Sequence, residues 1–444
     1  MSRAGAAVLA ALLAAAPISA VAAGDLPDLG PSVSVGRLES GGMSIVRPLG
    51  GAPVAAIELW YRAPSTGFGT KPVPSLARVA AQAVAASKPL VGSALGTLIN
   101  DVGGRLSISV FPDSVEISAL VPSSSAQRVV HTMTTVYFAP VLTDDGFKLA
   151  QRDVIGEAVL ESFNPETLLR YAVFGQLFSA GAQHYAPLGD PKQVAQVGEN
   201  DARAFATRAF RSQNAVLVVS GTVDAGVAAS AVAGRPDADA AGEARVPGQV
   251  AQTRPEPFQK AFELPAGGYG WAGPRISDER EATALDFIAD YLFRPDGGLV
   301  SRELAESDPN SFVVGQFITL YDPGVLFVGY AGKKIDAVRA AVDRGLARAH
   351  TPLSPQAFAA ARLAFEYNLL HELQTPTEIA DNFGWYTIQG NPGYAPGAGG
   401  RSGAYFKAAD SLTPEFVAAV ADKYLSVPPV VATLRPQTAP EPAK

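Results

Sequence analysis

Histidine and cysteine supply much of the metal and nucleophilic chemistry of proteins, and this 444-residue sequence has four histidines and no cysteine. No disulfide, thiolate zinc site, cysteine nucleophile or lipidated cysteine can be built from it. His131, His184 and His350 lie far apart, and no two histidines have the i, i+3 or i, i+4 spacing that lets one helix face present two imidazoles to a metal. His371-Glu372 opens like the zinc helix H-E-x-x-H, but Thr375 stands where the second histidine is needed, so an exposed helical histidine is expected. Gly268, Gly270 and Gly273 spell G-x-G-x-x-G, yet Pro274 delays any helix and no βαβ unit surrounds them, which predicts a glycine-rich strand or turn. No G-x-S-x-G elbow occurs, so the simplest serine-hydrolase arrangement is also missing. The 35 Lys+Arg against 42 Asp+Glu give a net charge of −7 without a long basic run, which argues against a nucleic-acid partner.

Two similar sets of elements hold these residues. Apolar or alternating runs predict strands over 33–38, 43–47 and 54–61. A helix follows over 75–87, with Leu76, Val79, Ala80, Ala83 and Val84 on one face and Arg78, Ala81 and Gln82 on the other. A helix near 91–102, strands 105–111 and 114–121, helices 124–138, 143–162, 165–179 and 200–210, and an apolar strand 215–220 complete the first set. Residues 234–257, rich in Ala, Gly, Pro, Asp, Arg and Glu without periodicity, read as a linker. The order then recurs, with strands near 258–265 and 268–273, a helix at 278–293, strands 311–320 and 324–330, helices 334–349, 355–374 and 376–389, and a last helix and strand. Asp201, Phe210 and Val216 have the same spacing as Glu415, Tyr424 and Val430. The expected fold class is therefore α+β: two duplicated domains, 24–233 and 258–436, each an antiparallel-rich sheet packed with helices.

Residues 1–23 combine Arg3, an apolar stretch from Ala4 to Ala16, Pro17 and a small-residue ending, the pattern of a secretory signal peptide, with an uncleaved membrane anchor as the alternative. A soluble protein of the bacterial periplasm or exterior, without stable membrane insertion after signal removal, is expected. Residues 437–444 read as a disordered tail.

Four segments then fall in order: Gln151-Arg152-Asp153-Val154-Ile155 after Asp144-Asp145, Asn164-Pro165-Glu166, His184 to Gly189, and Arg211 to Asp224. Together they resemble the pitrilysin/insulinase-type zinc peptidase family over about residues 33–436. The resemblance implies two α+β halves joined by a linker and, in active members, an H-x-x-E-H motif on the first helix, whose histidines bind zinc and whose glutamate activates water. The matching segment is Ser75 to Gln82, which puts Arg78 and Gln82 at the histidine positions and Ala81 at the general base. The family's remaining ligand, a glutamate, matches Ala158, with Glu157 one position off and turned about 100° away on a helix. A one-residue slip would make Glu157 the equivalent instead. Arginine and alanine cannot ligate zinc and an amide does so weakly, so no metal or other cofactor is expected here, although zinc is expected in active relatives. Active relatives also use an Arg and a Tyr in the second half to hold substrate and stabilise an oxyanion. The matching stretch has Arg302, with Phe312, which lacks a hydroxyl donor, near the tyrosine position.

The resemblance thus implies an exported, degenerate member that serves as a binding or structural subunit beside an active peptidase of the same family. The alternatives are a free-standing hydrolase with an unrecognised metal site and a stand-alone periplasmic peptide-binding protein. Arg78 is expected either to pair with Glu157 or Glu161 or to reach into an open, wet chamber.

Overall fold

The computed structural model describes residues 26–436 apart from 40, 52, 89–91, 235–242 and 253–255. The signal segment, the tail and part of the linker therefore lie outside the described residues. Among the described residues no helix is long and apolar enough to cross a membrane.

The first half runs β1 (Ser34–Arg37), β2 (Met43–Pro48), β3 (Val54–Arg62), α1 (Leu76–Ala86), α2 (Leu95–Asp101), β4 (Arg105–Val110), β5 (Ser114–Pro122), α3 (Ala126–Phe138), α4 (Asp144–Glu161), α5 (Pro165–Leu177), β6 (Phe178–Ala180), α6 (Pro191–Ala195), α7 (Glu199–Ala209) and β7 (Ala215–Gly221). After β8 (Gln249–Val250) the second half runs β9 (Phe258–Ala261), β10 (Ala266–Ala272), α8 (Glu279–Phe293), α9 (Leu299–Ser307), β11 (Phe312–Ile318), β12 (Val325–Ala331), α10 (Ile335–Ala349), α11 (Pro355–His371), α12 (Pro376–Gln389), α13 (Ala404–Asp410), α14 (Pro414–Leu425) and β13 (Val430–Arg435). The first sheet has the order β1-β2-β7-β3-β5-β4 and the second β11-β12-β10-β13-β9. Without the extra edge strand β1, the two orders match strand for strand. Each sheet also has one parallel pair, β2 with β7 and β9 with β13, among otherwise antiparallel neighbours.

The two halves exchange helices. Along β3, Ala55, Ile57, Leu59 and Tyr61 face a core that includes α1, while Ala56 and Trp60 face the opposite core, which includes Ala380 and Phe383 of α12. Thus α12, from the second half, covers β3 and β7 of the first sheet, and α5, from the first half, covers β10, β12 and β13 of the second. Glycine permits both contacts. A Cβ on Gly384 of α12 would lie 2.0 Å from Trp60 Nε1, and one on Gly270 of β10 would lie 2.1 Å from Val173 Cγ1 of α5.

Part of the linker is anchored despite its lack of periodicity. Gln249–Val250 pairs with β6, and Arg245 donates to the Ile388 and Thr387 carbonyls at the C-terminal end of α12, at 2.9 and 3.0 Å. Several segments that carried the family resemblance are hydrogen-bonded supports. Gln151 Nε2 donates to the Val194 and Val197 carbonyls at 3.2 and 3.1 Å, joining α4 to α6. Asn214 holds the end of β3 by donating to the Arg62 carbonyl at 2.9 Å.

Candidate functional site

Helix α1 lies on the first sheet with Leu76, Val79, Ala80, Ala83 and Val84 buried, which leaves Arg78 on the flank facing α4. The helix begins at Ser75, a buried residue with φ 69°, in the left-handed region that costs a side-chain-bearing residue energy. Its hydroxyl makes no cap and donates to the Leu188 carbonyl. Pro187 to Gly189, within a segment that carried the resemblance, thus helps fix where α1 starts.

Arg78 meets α4 through Glu157. Its Nε donates to Glu157 Oε2 at 2.8 Å and its Nη2 to Oε1 at 2.7 Å, a bidentate pair, while Nη1 donates to the Ile108 carbonyl of β4. The side chains are 15% and 37% exposed, so the pair is only partly shielded from water. Of the alternatives open for Arg78, the structure has the pair with Glu157. Ala150, Val154 and Ala158 form the buried stripe of α4, so Ala158 points into the core and Glu157 flanks it toward α1. Glu161, one turn further, does not hydrogen-bond Arg78 but stands in its field. Burial raises its carboxyl above the ordinary value, Arg78 opposes that shift and Glu157 adds to it. The Tyr171 hydroxyl is likewise pushed up, first by burial and then by Glu161.

This donor set does not fit a catalytic zinc. Gln82 is half-buried and Ala81 is buried, with its carbonyl accepting from Tyr137 Oη at 3.0 Å. A guanidinium has no lone pair to offer, and the carboxylate beside it is already engaged. A cation is fixed here by covalent chemistry.

The second-half candidates do not meet. Phe312, 46% exposed at the start of β11, lines a cavity of about 1430 Å³, whereas Arg302 is exposed on α9 and does not line it. Within that cavity Asp286 accepts from Tyr405 Oη and is pushed up to about 7, mainly by burial. Asp290 accepts from Arg294 at 2.6 Å and from Asn368 at 2.8 Å.

A second cluster lies on the opposite face of the first sheet. Glu58 of β3, Glu116 of β5 and Asp381 of α12 place carboxylate oxygens within 4.8 Å of one another. Trp60 Nε1 donates to Glu58 Oε2 at 2.7 Å, while the buried Oε1 has no hydrogen-bond partner. Burial, then Asp381 and Glu116, hold Glu58 well above the usual carboxylate range, so protonation is the neutralisation its surroundings favour. The sequence carried a signal for this cluster: a lone glutamate in the apolar strand Val54–Tyr61, at a position facing the same way as Ala56 and Trp60. Nothing in the spacing indicated that Asp381 would join it from the other half.

No protein-family model and no curated protein matches the sequence. Solved structures do match the fold. A protease from Helicobacter pylori superposes with a TM-score of 0.80 at 16% identity, covering 91% of this chain and 100% of that one. An M16-like peptidase from Alicyclobacillus acidocaldarius gives 0.72 at 16% identity, covering 91% and 98%. The inactive domain of an M16 peptidase from Pseudomonas fluorescens gives 0.71 at 16% identity, covering 93% and 100%. The chain has the two-half α+β fold of M16-like peptidases, as the resemblance implied.

Proposed function

We propose that this chain is an exported, non-catalytic protein of peptidase fold that acts as a binding or structural subunit beside an active peptidase of the same fold. The observation that carries this reading is the Arg78–Glu157 pair, which fills the α1–α4 flank with a guanidinium where the family resemblance places a zinc ligand. The likeness to an inactive M16 domain supports it. Exposed apolar side chains on equivalent helices of the two halves supply surface for a partner: Leu160 on α4, and Leu363 and Tyr367 on α11. Export rests on the apolar, small-residue-ended segment at the start of the sequence.

The test is reconstitution. The mature chain is mixed with an active exported relative from the same source, and both association and peptide cleavage are measured. Co-elution with a rise in cleavage is expected, and neither should be seen with the single chains. Absence of association at micromolar concentration together with unchanged partner activity would remove the subunit reading. Peptide cleavage by this chain alone would favour a free-standing hydrolase.

A further inference from the structure

A smaller cavity, about 540 Å³, opens where the linker meets both halves, and two of its lining residues are Arg62 and Arg245. Arg62 ends β3 and Arg245 belongs to the segment that joins the halves. Neither forms an ion pair among the described residues. Arg62 Nη1 donates to the Glu243 backbone carbonyl, and its buried Nε has no hydrogen-bond partner. Arg245 donates only to the Ile388 and Thr387 carbonyls.

Two carboxylates, Asp113 and Glu243, share the wall and lie in the field of these cations. Asp113 accepts from Gln389 Nε2 at 3.2 and 3.3 Å. Glu243 accepts from Arg208 at 2.8 and 3.1 Å and from Arg211 at 3.4 Å. Burial, and then the like charge of Arg245, lower the Arg62 guanidinium to about 10, with Asp113 and then Glu243 opposing the shift. Arg62, Arg208 and Arg245 outnumber Asp113 and Glu243 on this wall, so a further anion is favoured there. The remaining wall is largely apolar and aromatic, with Phe68, Tyr185, Tyr321 and Ile388, and the volume suits a small organic molecule.

We propose that this cavity binds a carboxylate attached to an apolar body, the carboxylate being held by Arg62 and Arg245 and the body lying against Phe68, Tyr185 and Tyr321. A peptide C-terminus and a free small carboxylic acid share this chemistry. The site is separate from the α1–α4 flank, and its test does not depend on peptidase partnership.

Calorimetric titration of the full mature chain with N-acetylphenylalanine, its C-terminal amide and inorganic phosphate tests the assignment. Saturable binding of the acid, at least tenfold weaker binding of the amide, and a tenfold or greater loss in Arg62→Gln and Arg245→Gln are expected. An acetylated tripeptide acid then separates the sources: binding at least as tight as the single residue assigns the site to a peptide terminus, and exclusion assigns it to a small acid. Equal binding of acid and amide, preference for phosphate, or no saturable binding up to 10 mM on the scale of weak ligand affinities would overturn the proposal. If either variant fails to fold, the acid-against-amide difference in the unaltered protein still decides it.

Discussion

Arg78 and Glu157 face each other across α1 and α4 through a bidentate pair of N–H···O bonds of 2.8 and 2.7 Å. The third donor of the guanidinium reaches the Ile108 carbonyl, so one side chain joins two helices and a strand. Arg78→Ala is expected to cost about 1–3 kcal/mol in urea denaturation, because it leaves a partly buried carboxylate without its partner. A double-mutant cycle with Glu157→Gln should show coupling of about 1 kcal/mol. Coupling near zero would mean that the pair adds nothing to stability.

The same geometry predicts how zinc could be restored. The unaltered chain should hold no stoichiometric zinc by elemental analysis, whereas Arg78→His with Gln82→His would place two imidazoles one turn apart beside Glu157. That double variant is expected to bind one zinc with a dissociation constant of about micromolar or tighter, measured against a chromophoric chelator. Adding Glu157→Gln should weaken it at least tenfold. Hydrolysis should stay absent, because Ala81 supplies no general base.

Helix α1 was legible because Leu76, Val79, Ala80, Ala83 and Val84 repeat at helical spacing, although Ala77, Ala81 and Ala85 are buried as well. The duplication was legible for the same reason in the elements that keep their period in both halves, such as α1 with α8 and α3 with α10. The destination of α12 was not. Its Ile379, Ala380, Phe383, Tyr386 and Ile388 announce burial, but period alone does not say which sheet provides it. The rotation of Glu157 was left open because a motif match fixes order more firmly than rotation. Ala150, Val154 and Ala158 settle the rotation once the core is known. Helix α9 escaped because its buried face has only Val300 and Leu304.

Glu58, Glu116 and Asp381 make stability depend on pH. Burial and then Asp381 push Glu116 up to about 7, and burial, then Asp381 and Glu116, hold Glu58 well above its ordinary value. The folded protein keeps protons that the unfolded chain releases near the ordinary glutamate value of 4.5, so this stability is full below that value and is lost as pH rises through the folded values. For Glu116 alone the span amounts to on the order of 3 kcal/mol. Asp286, also near 7, acts with the same sign, so each variant must be compared with the unaltered protein. Urea denaturation should show stability falling from about pH 5 to 8. Glu116→Gln should flatten the curve, and Glu58→Gln should make the protein more stable than the unaltered chain at the alkaline end. Parallel curves would refute the assignment.

Gly384 of α12 packs directly over Trp60 of β3, with no room for a Cβ. Trp60 cannot easily give way: its Nε1 donates to Glu58, its ring stacks on Phe111 at 5.7 Å, and Trp385 meets it edge-on at 6.3 Å. Gly384→Ala should therefore cost about 3 kcal/mol or more in urea denaturation. Lifting α12 would also strain Gln389, which donates to Asp113 of the first half and accepts from the Tyr321 N–H of the second at 2.7 Å. Hydrogen exchange should accordingly show amides of β3 and β10 losing protection together, since each sheet is covered by a helix from the other half. Gly393→Ala is the control: a Cβ there meets nothing within 4 Å, and the change should stay within about 0.5 kcal/mol. If Gly384→Ala matched that control, or if the two sheets lost protection separately, the exchanged helices would not be what couples the halves.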